Sequence, residues 1–253
     1  MSKRNTQLRR YTISNLVNEK GEVSVEELSI QFETSEVTIR KDLASLEKNG
    51  QLLRRYGGAI ALPTEVITEG LSENVSIRKN ALAEAAANLI RDHNRIVIDS
   101  GSTTAALIQR LNSKRGLVVM TNSLTVANAL NELESEPHLL MTGGTWDQHS
   151  ESFQGKVAET VLRSYDFDQL FIGADGVDLT RGTTTFNELV GLSNVMAEVS
   201  REVIVMVESE KIGRKIPNLE LSWDAIDILI TNNDLSPDEK AEIESNGVKV
   251  ICA

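Results

Sequence analysis

Cysteine is nearly absent from the sequence, which has one thiol, Cys252, among 253 residues. A single cysteine excludes an intramolecular disulfide framework and fits a reducing compartment. The first ten residues are polar and basic with no apolar run behind them, so no signal peptide is expected. No apolar stretch approaches the roughly 18 residues that cross a bilayer. We therefore expect a cytoplasmic protein with no membrane partner.

Aromatic and histidine side chains are also scarce. Aromatic residues make up 4% of the chain and hydrophobic residues of all kinds 40%, so we expect a mainly aliphatic core. The three histidines, His93, His138 and His149, are isolated from one another in the sequence. No group of potential ligands has the spacing of a metal site. We expect neither a metal nor a cofactor.

Charge is present in quantity but is unevenly distributed. The whole chain has a formal net charge of −11, yet residues 1–60 contain ten Lys or Arg and eight Asp or Glu. The first sixty residues are thus net positive by two, and residues 61–253 carry the remaining −13. Such asymmetry indicates a small module that faces an anion, attached to an acidic body.

Three short helices are predicted within the first fifty residues. The first has apolar residues at helical spacing. Ser24 and Glu27 form a capping box, in which each side chain accepts from the other residue's backbone amide, and this box begins the second helix. The third helix has a buried stripe at positions i, i+4 and i+7, formed by Ile39, Leu43 and Leu46.

The third helix leaves polar and basic side chains on its outer face, and a basic hairpin follows it. The hairpin sequence, QLLRRYGGAI at residues 51–60, has two arginines and a Gly-Gly turn. This is the outline of a winged helix-turn-helix, whose recognition helix enters the major groove. The wing residues Arg54 and Arg55 are predicted to contact phosphate or the minor groove. The residues predicted to reach base edges are Ser35, Glu36, Thr38, Arg40 and Lys41.

A larger second domain follows a linker. We predict a DNA-binding domain at 1–60, a linker at 61–76 and an α/β domain at 77–253. In the last of these, short β-rich runs alternate with helical segments, which favours a largely parallel sheet. The predicted strands are 95–99, 117–121, 138–141, 169–174, 203–207, 226–231 and 248–251.

Polar residues and glycines follow these strands, and parallel sheets bind ligands at the carboxyl ends of their strands. Residues 101–104 combine small residues, hydroxyls and a helix N-terminus, which suits a phosphate. They lack the glycine spacing of a dinucleotide site and the lysine of a Walker A loop. Asp and Glu residues after other strands can bind sugar hydroxyls, and Lys211 can neutralise an anionic group. Together these residues suit a phosphorylated sugar or polyol. The predicted effector-binding residues are Asp99, Gly101, Ser102, Thr103, Thr104, Thr121, Asn122, Gly143, Gly144, Asp175, Gly176, Glu188 and Lys211.

These residues carry a resemblance to a known family. Arg9, Ile13 and Val17, followed by SEVTIRKDL at 35–43, resemble the helix-turn-helix motif of the DeoR family of bacterial transcriptional regulators. The second domain resembles the family's sensor domain, which is similar in fold to ribose-phosphate isomerase, glucosamine-phosphate deaminase and CoA transferases. Residues 152–155 and 184–188 are most similar to repressors of amino-sugar and sugar-alcohol pathways.

The resemblance implies a repressor of a carbohydrate catabolic operon, released from its double-stranded operator DNA by a sugar phosphate. It also implies a homodimer or homotetramer. Two alternatives stay open: a phosphosugar isomerase or deaminase fused to a DNA-binding module, and a second domain that only oligomerises. Against catalysis, Gly176 follows Asp175 where the isomerases have a second acidic residue. The polar residues at the strand ends argue against the second alternative, because a domain that only oligomerises does not need them. We expect no enzyme activity.

Overall fold

The computed structural model describes residues 3–48, 52–55, 57–60, 77–148, 150–186, 190–214, 216 and 218–253. The predicted linker at 61–76, and with it Glu188 and His149, lies outside the described residues. The chain divides into two compact units, Met1–Glu73 and Asn74–Ala253.

The N-terminal unit is a three-helix domain with a small antiparallel sheet. Its elements are α1 (Lys3–Lys20), β1 (Glu22–Ser24), α2 (Val25–Gln31), α3 (Glu36–Lys48), β2 (Leu53–Arg55) and β3 (Gly58–Ile60). The strand order is β1-β3-β2. Gly58 lies against β1 so closely that a Cβ would be 2.5 Å from the carbonyl oxygen of Val23, which is why this strand needs glycine.

Local sequence signals begin the helices as expected. The amide of Glu27 donates to Ser24 Oγ at 3.0 Å, and the amide of Ser24 donates to Glu27 Oε2 at 2.9 Å. The amide of Thr38 donates to Ser35 Oγ at the start of α3. The predicted stripe of α3 is buried, and it packs with Ile13, Val17, Leu28 and other residues in one core.

The C-terminal unit is built on a seven-stranded parallel sheet flanked by helices. The strands of this sheet are β4 (Arg95–Ile98), β5 (Val118–Thr121), β6 (His138–Met141), β9 (Phe167–Ile172), β12 (Ser200–Met206), β14 (Ile228–Thr231) and β15 (Lys249–Cys252). Their order is β15-β14-β12-β9-β4-β5-β6, and every pairing is parallel. All seven predicted strands are confirmed, as is the fold class.

Both faces of the sheet are buried. In β12, Val203 and Val205 join one hydrophobic cluster, whereas the alternating Ile204 and Met206 join another. The flanking helices are α4 (Ile77–Ala87), α5 (Ser102–Ala105), α6 (Leu124–Asn131), α7 (Lys156–Leu162), α8 (Gly191–Glu198) and α9 (Pro237–Ser245). Because helices cover both faces of the sheet, side chains on both faces are buried, and the strands are continuous apolar runs in the sequence.

Two helical predictions were too long. The pattern at 77–92 predicts one helix, but α4 ends at Ala87, and a left-handed backbone at His93 (φ 66°) lies within the turns that follow. The residues after β4 are predicted to lie on a turn that leads into a helix. They form only the short α5 and then a 3-10 helix at Ile108–Ser113. In part this is because Thr104 Oγ1 donates to the carbonyls of Asp99 and Gly101, which holds the chain in a tight turn.

The sequence patterns missed two small antiparallel sheets. One joins β7 (Thr145–Asp147) to β8 (Ser152–Gln154). The other has the order β10-β11-β13, with β10 at Gly176–Asp178, β11 at Gly182–Thr185 and β13 at Asn218–Ser222. The second sheet continues directly from the end of β9, so it lies where the parallel sheet offers a ligand site.

The side on which successive strands join the parallel sheet changes between β4 and β9. From β4 the chain adds β5 and β6 on one side, and it then crosses to the other side to add β9, β12, β14 and β15. A reversal of strand order opens a crevice at the carboxyl ends of the two strands, and ligands of open α/β sheets bind there. Among the described residues no helix is long and apolar enough to cross a membrane.

Candidate functional site

The first candidate surface is the outer face of α3. Ser35, Glu36, Arg40 and Lys41 are exposed, and Thr38 is half-buried. The hydroxyls of Ser35 and Thr38 lie 3.0 Å apart, and the Arg40 guanidinium binds Glu36 Oε2 at 2.8 Å across one helical turn. Four of the five predicted base-reading residues therefore lie in the N-terminal half of α3 and Ser35 immediately precedes it, a position from which recognition helices contact base edges.

The two wing arginines are exposed and already paired with carboxylates. Arg54 Nε donates to Glu47 Oε2 at 2.6 Å, and an Arg55 amino group lies 3.6 Å from Glu22 Oε2. Exposed ion pairs contribute only about 0.2–1 kcal/mol each. A phosphate can therefore replace either carboxylate at little cost.

A buried ion-pair cluster fixes the orientation of α3, and the sequence patterns did not assign it a role. Asp42 is 2% exposed and accepts from Arg9 Nε at 2.6 Å and from Arg10 Nε at 2.8 Å. Arg10 also donates to Ser45 Oγ. Because both arginines lie on α1, the cluster fixes α3 against α1.

The second candidate surface is the crevice at the ends of β4 and β9. Asn122, which follows β5, donates from Nδ2 to Asp99 Oδ1 at 2.8 Å and accepts from the amide of Ser100 at 3.0 Å. Thr121 is buried and its hydroxyl accepts from the amide of Ser123. Asn122 therefore fixes the carboxylate of Asp99 beside the loop that follows β4.

The predicted phosphate-binding loop follows β4, and a lysine from another element reaches it. Lys79 of α4 donates from Nζ to Ser102 Oγ at 2.6 Å. Gly101 has a φ of 137°, which favours glycine. Thr103 is buried, and Thr104 uses its hydroxyl to hold the loop backbone. Lys79 was missed, because only the folded structure brings α4 to this loop.

On the other side of the crevice lie Asp175 and Lys211. Asp175 Oδ2 accepts from the hydroxyl of Thr185 at 2.8 Å and from the amide of Phe186 at 3.1 Å. Lys211 Nζ donates to the carbonyl of Ala174 at 3.2 Å. The lysine therefore lies beside the chain that carries Asp175.

The predicted glycines have different surroundings. A Cβ on Gly176 would lie 2.9 Å from both the carbonyl oxygen of Arg214 and Thr184 Oγ1, so this buried glycine meets a packing requirement. Gly143 and Gly144 follow the edge strand β6 and have positive φ. A Cβ on Gly144 would lie 2.6 Å from the carbonyl of Gln154 in β8. Close backbone packing therefore requires glycine at positions 144 and 176, whereas a Cβ on Gly143 would meet nothing within 4 Å.

A third carboxylate, Glu220 of β13, was not predicted. Its Oε1 accepts from Ser193 Oγ at 2.9 Å, whereas its Oε2 is buried without a hydrogen-bond partner. Burial, and then the negative charge of Asp99, raise the pKa of Glu220 to about 8. Burial also raises the pKa of Asp99 to about 6, and the charge of Asp175 adds to that effect. The three carboxyl groups therefore form one electrostatically coupled cluster.

The described residues contain no group of three or more His, Cys, Asp and Glu that could hold a metal ion. The crevice instead combines carboxylates, hydroxyls, backbone amides and two lysines. Such a set suits a small polar molecule that has both hydroxyls and an anionic group.

A winged helix-turn-helix followed by a parallel α/β domain with a polar crevice defines a DNA-binding regulator with a ligand sensor. Residues 9–65 match the DeoR-like helix-turn-helix domain, and residues 75–233 match the DeoR C terminal sensor domain. The chain belongs to the DeoR family of transcriptional regulators.

Relatives of similar length support this assignment. A protein of Escherichia coli O157:H7, provisionally named as an aga operon transcriptional repressor, is 38% identical over 97% of this chain and 93% of its own length. The HTH-type transcriptional regulator GlpR of Haloferax volcanii is 32% identical over 96% of each chain. Ribose 5-phosphate isomerase A of Methanocaldococcus jannaschii covers 53% of each chain at 20% identity and a TM-score of 0.38, from which nothing about function follows.

Proposed function

We propose that this chain represses a carbohydrate catabolic operon and is released from its operator by a phosphorylated sugar or polyol. The observation that carries the proposal is the set of polar side chains gathered where the strand order reverses, at the carboxyl ends of β4, β5 and β9. It joins a hydroxyl-bearing loop and Lys79 to the carboxylates of Asp99 and Asp175. The name of the E. coli relative, an aga operon repressor, supports repression as the direction of control.

Each set of predicted residues has a role in this proposal. Ser35, Glu36, Thr38, Arg40 and Lys41 contact base edges, and Arg54 and Arg55 contact phosphate. Around the effector, the loop at 101–104 with Lys79 and Lys211 receives the phosphate. Asp99, Asn122 and Asp175 accept from or donate to sugar hydroxyls.

Release requires that the effector bind better to the arrangement that cannot bind DNA. The coupling free energy of such regulators is typically about 1–3 kcal/mol, which is about 5- to 150-fold in operator affinity. We propose a homodimer or homotetramer that places two recognition helices about one helical turn apart on a near-palindrome. Sedimentation velocity on the full-length protein measures the assembly.

The proposal is tested with DNA duplexes that the full-length protein selects from a random pool. Fluorescence anisotropy at fixed salt then measures affinity with and without a panel of sugar phosphates and their free sugars. One phosphorylated compound should release the DNA, and its free sugar should not. Selected DNA that no compound releases would contradict the effector role. Consumption of a sugar phosphate by the protein would favour the enzyme alternative.

Two variants separate the two surfaces. Arg40→Ala should lose operator binding and still bind the sugar phosphate in calorimetry. Lys211→Ala should bind DNA normally and lose the response. Lys240→Ala on α9 is the matched control and should retain both properties. An unchanged response in Lys211→Ala would remove Lys211 from the effector site.

A further inference from the structure

An apolar side chain lies in the middle of the polar outer face of α3. Val37 is 60% exposed, although it is a large hydrophobic residue on a helix whose other large apolar residues are buried. It has Glu36 and Thr38 as sequence neighbours and is the second residue of α3. An exposed valine at this point contributes nothing to the core of its domain.

Helix geometry places Val37 at the centre of the outward face. Successive residues rotate by about 100° around a helix axis. The buried residues Ile39, Leu43 and Leu46 are therefore about 160°, 120° and 180° away from Val37 around the axis. Arg40 and Lys41 lie about 60° and 40° from it, on opposite sides. The methyl groups of Val37 thus project between the two basic side chains predicted to face DNA.

We propose that Val37 reads the 5-methyl group of a thymine in the major groove of the operator. This inference rests on the proposed role of α3 as the recognition helix. In the major groove thymine differs from the other bases by its C5-methyl group, and an apolar side chain recognises it by contact. Arg40 and Lys41 supply polar and charged contacts on either side, but they have no means of detecting a methyl group.

The side chain is already fixed for this contact. Valine has a strongly restricted χ1 in a helix, so little conformational entropy is lost when it packs against a base. Its burial against the thymine methyl removes apolar area on both partners from water. Val37 therefore adds sequence preference at a position that the charged residues leave unread.

Deoxyuridine substitution tests the contact directly, because deoxyuridine lacks the methyl group but keeps every hydrogen-bonding group of thymine. The duplexes are those selected by the full-length protein, with each thymine replaced in turn. Wild type should lose about three- to tenfold in affinity at one thymine per half-site. Val37→Ala should lose a similar factor on the thymine duplex and show no further loss with deoxyuridine there. Ile30→Ala on α2, which truncates a side chain that is 71% exposed, should keep the wild-type profile.

Both variants change exposed residues, so thermal unfolding should match wild type. Identical deoxyuridine profiles for wild type and Val37→Ala would overturn the inference. So would a Val37→Ala variant that binds selected and unselected DNA with the same proportional loss, since that result means that Val37 adds no sequence preference. If the protein selects no duplex at all, the proposed function itself fails, which is a distinguishable outcome.

Discussion

Replacing Glu220 by glutamine tests the electrostatics of the sensor domain. In the folded protein the pKa of this carboxyl group is raised to about 8 from 4.5, because it is buried near Asp99. The folded state therefore holds a proton that the unfolded state has lost between these two pH values. Stability must fall as pH rises through this window, since the unfolded state binds fewer protons there.

The magnitude follows from the size of the pKa difference. Each unit of difference corresponds to 1.36 kcal/mol, so the destabilisation at pH 7 is on the order of 3 kcal/mol. Glutamine is nearly isosteric, cannot ionise and still accepts the hydrogen bond from Ser193 through its amide oxygen. Glu220→Gln should therefore match wild type near pH 5 and exceed its free energy of unfolding by about 3 kcal/mol at pH 7.

Urea unfolding followed by tryptophan fluorescence is the appropriate assay. Both tryptophans of the chain, Trp146 and Trp223, lie in the sensor domain, so the signal reports that domain alone. Trp223 is 5% exposed, and its indole donates to the carbonyl of Leu179. Glu242→Gln on the exposed face of α9 is the control. Parallel stability curves for Glu220→Gln and wild type from pH 5 to pH 8 would refute the argument.

Two further substitutions probe the scaffold. Asp42→Ala leaves the buried guanidinium of Arg9 without its partner, so the N-terminal domain should lose about 3 kcal/mol of its free energy of unfolding. Hydrogen exchange of the α1 and α3 amides measures this loss. Unchanged protection would show that the ion-pair cluster is not needed for stability. Gly182→Ala places a Cβ 2.1 Å from the carbonyl oxygen of Leu221 at a φ of 129°, so the sensor domain should lose at least about 2 kcal/mol in urea unfolding. Wild-type stability in this variant would mean that β11 and β13 separate easily.

The sequence predicted best the elements whose signals are local. The capping box of Ser24 and Glu27 begins its helix as expected. The seven parallel strands were found because each is a run of apolar residues bounded by turns. Helix ends were less accurate, since tight turns such as that at Thr104 depend on side-chain bonds to backbone that periodicity does not register.

Features that depend on tertiary packing escaped prediction. The strand Gly182–Thr185 is polar throughout and has no alternation, so it resembled a loop. Glu220 lies in the segment NLELS, in which a glutamate ordinarily faces solvent, and only the folded sheet buries its carboxyl group. Lys79 is 23 residues from Ser102 in sequence, and no pattern connects them. Val37 was counted as part of a motif, and its exposure is a property of the folded helix.

If Arg40, Arg54 and Arg55 contact DNA as proposed, the carboxylates paired with them affect how the protein searches a chromosome. In the free protein the guanidinium groups of Arg40, Arg54 and Arg55 form ion pairs with Glu36, Glu47 and Glu22, respectively. Any duplex offers phosphates, so it must displace these internal partners before it gains the corresponding contacts. Fewer mobile counterions are then released on binding, which weakens the sequence-independent part of the affinity. In the proposed complex this loss is about 0.2–1 kcal/mol for each ion pair and applies to DNA of any sequence, so somewhat more of the protein stays free of DNA that lacks the operator.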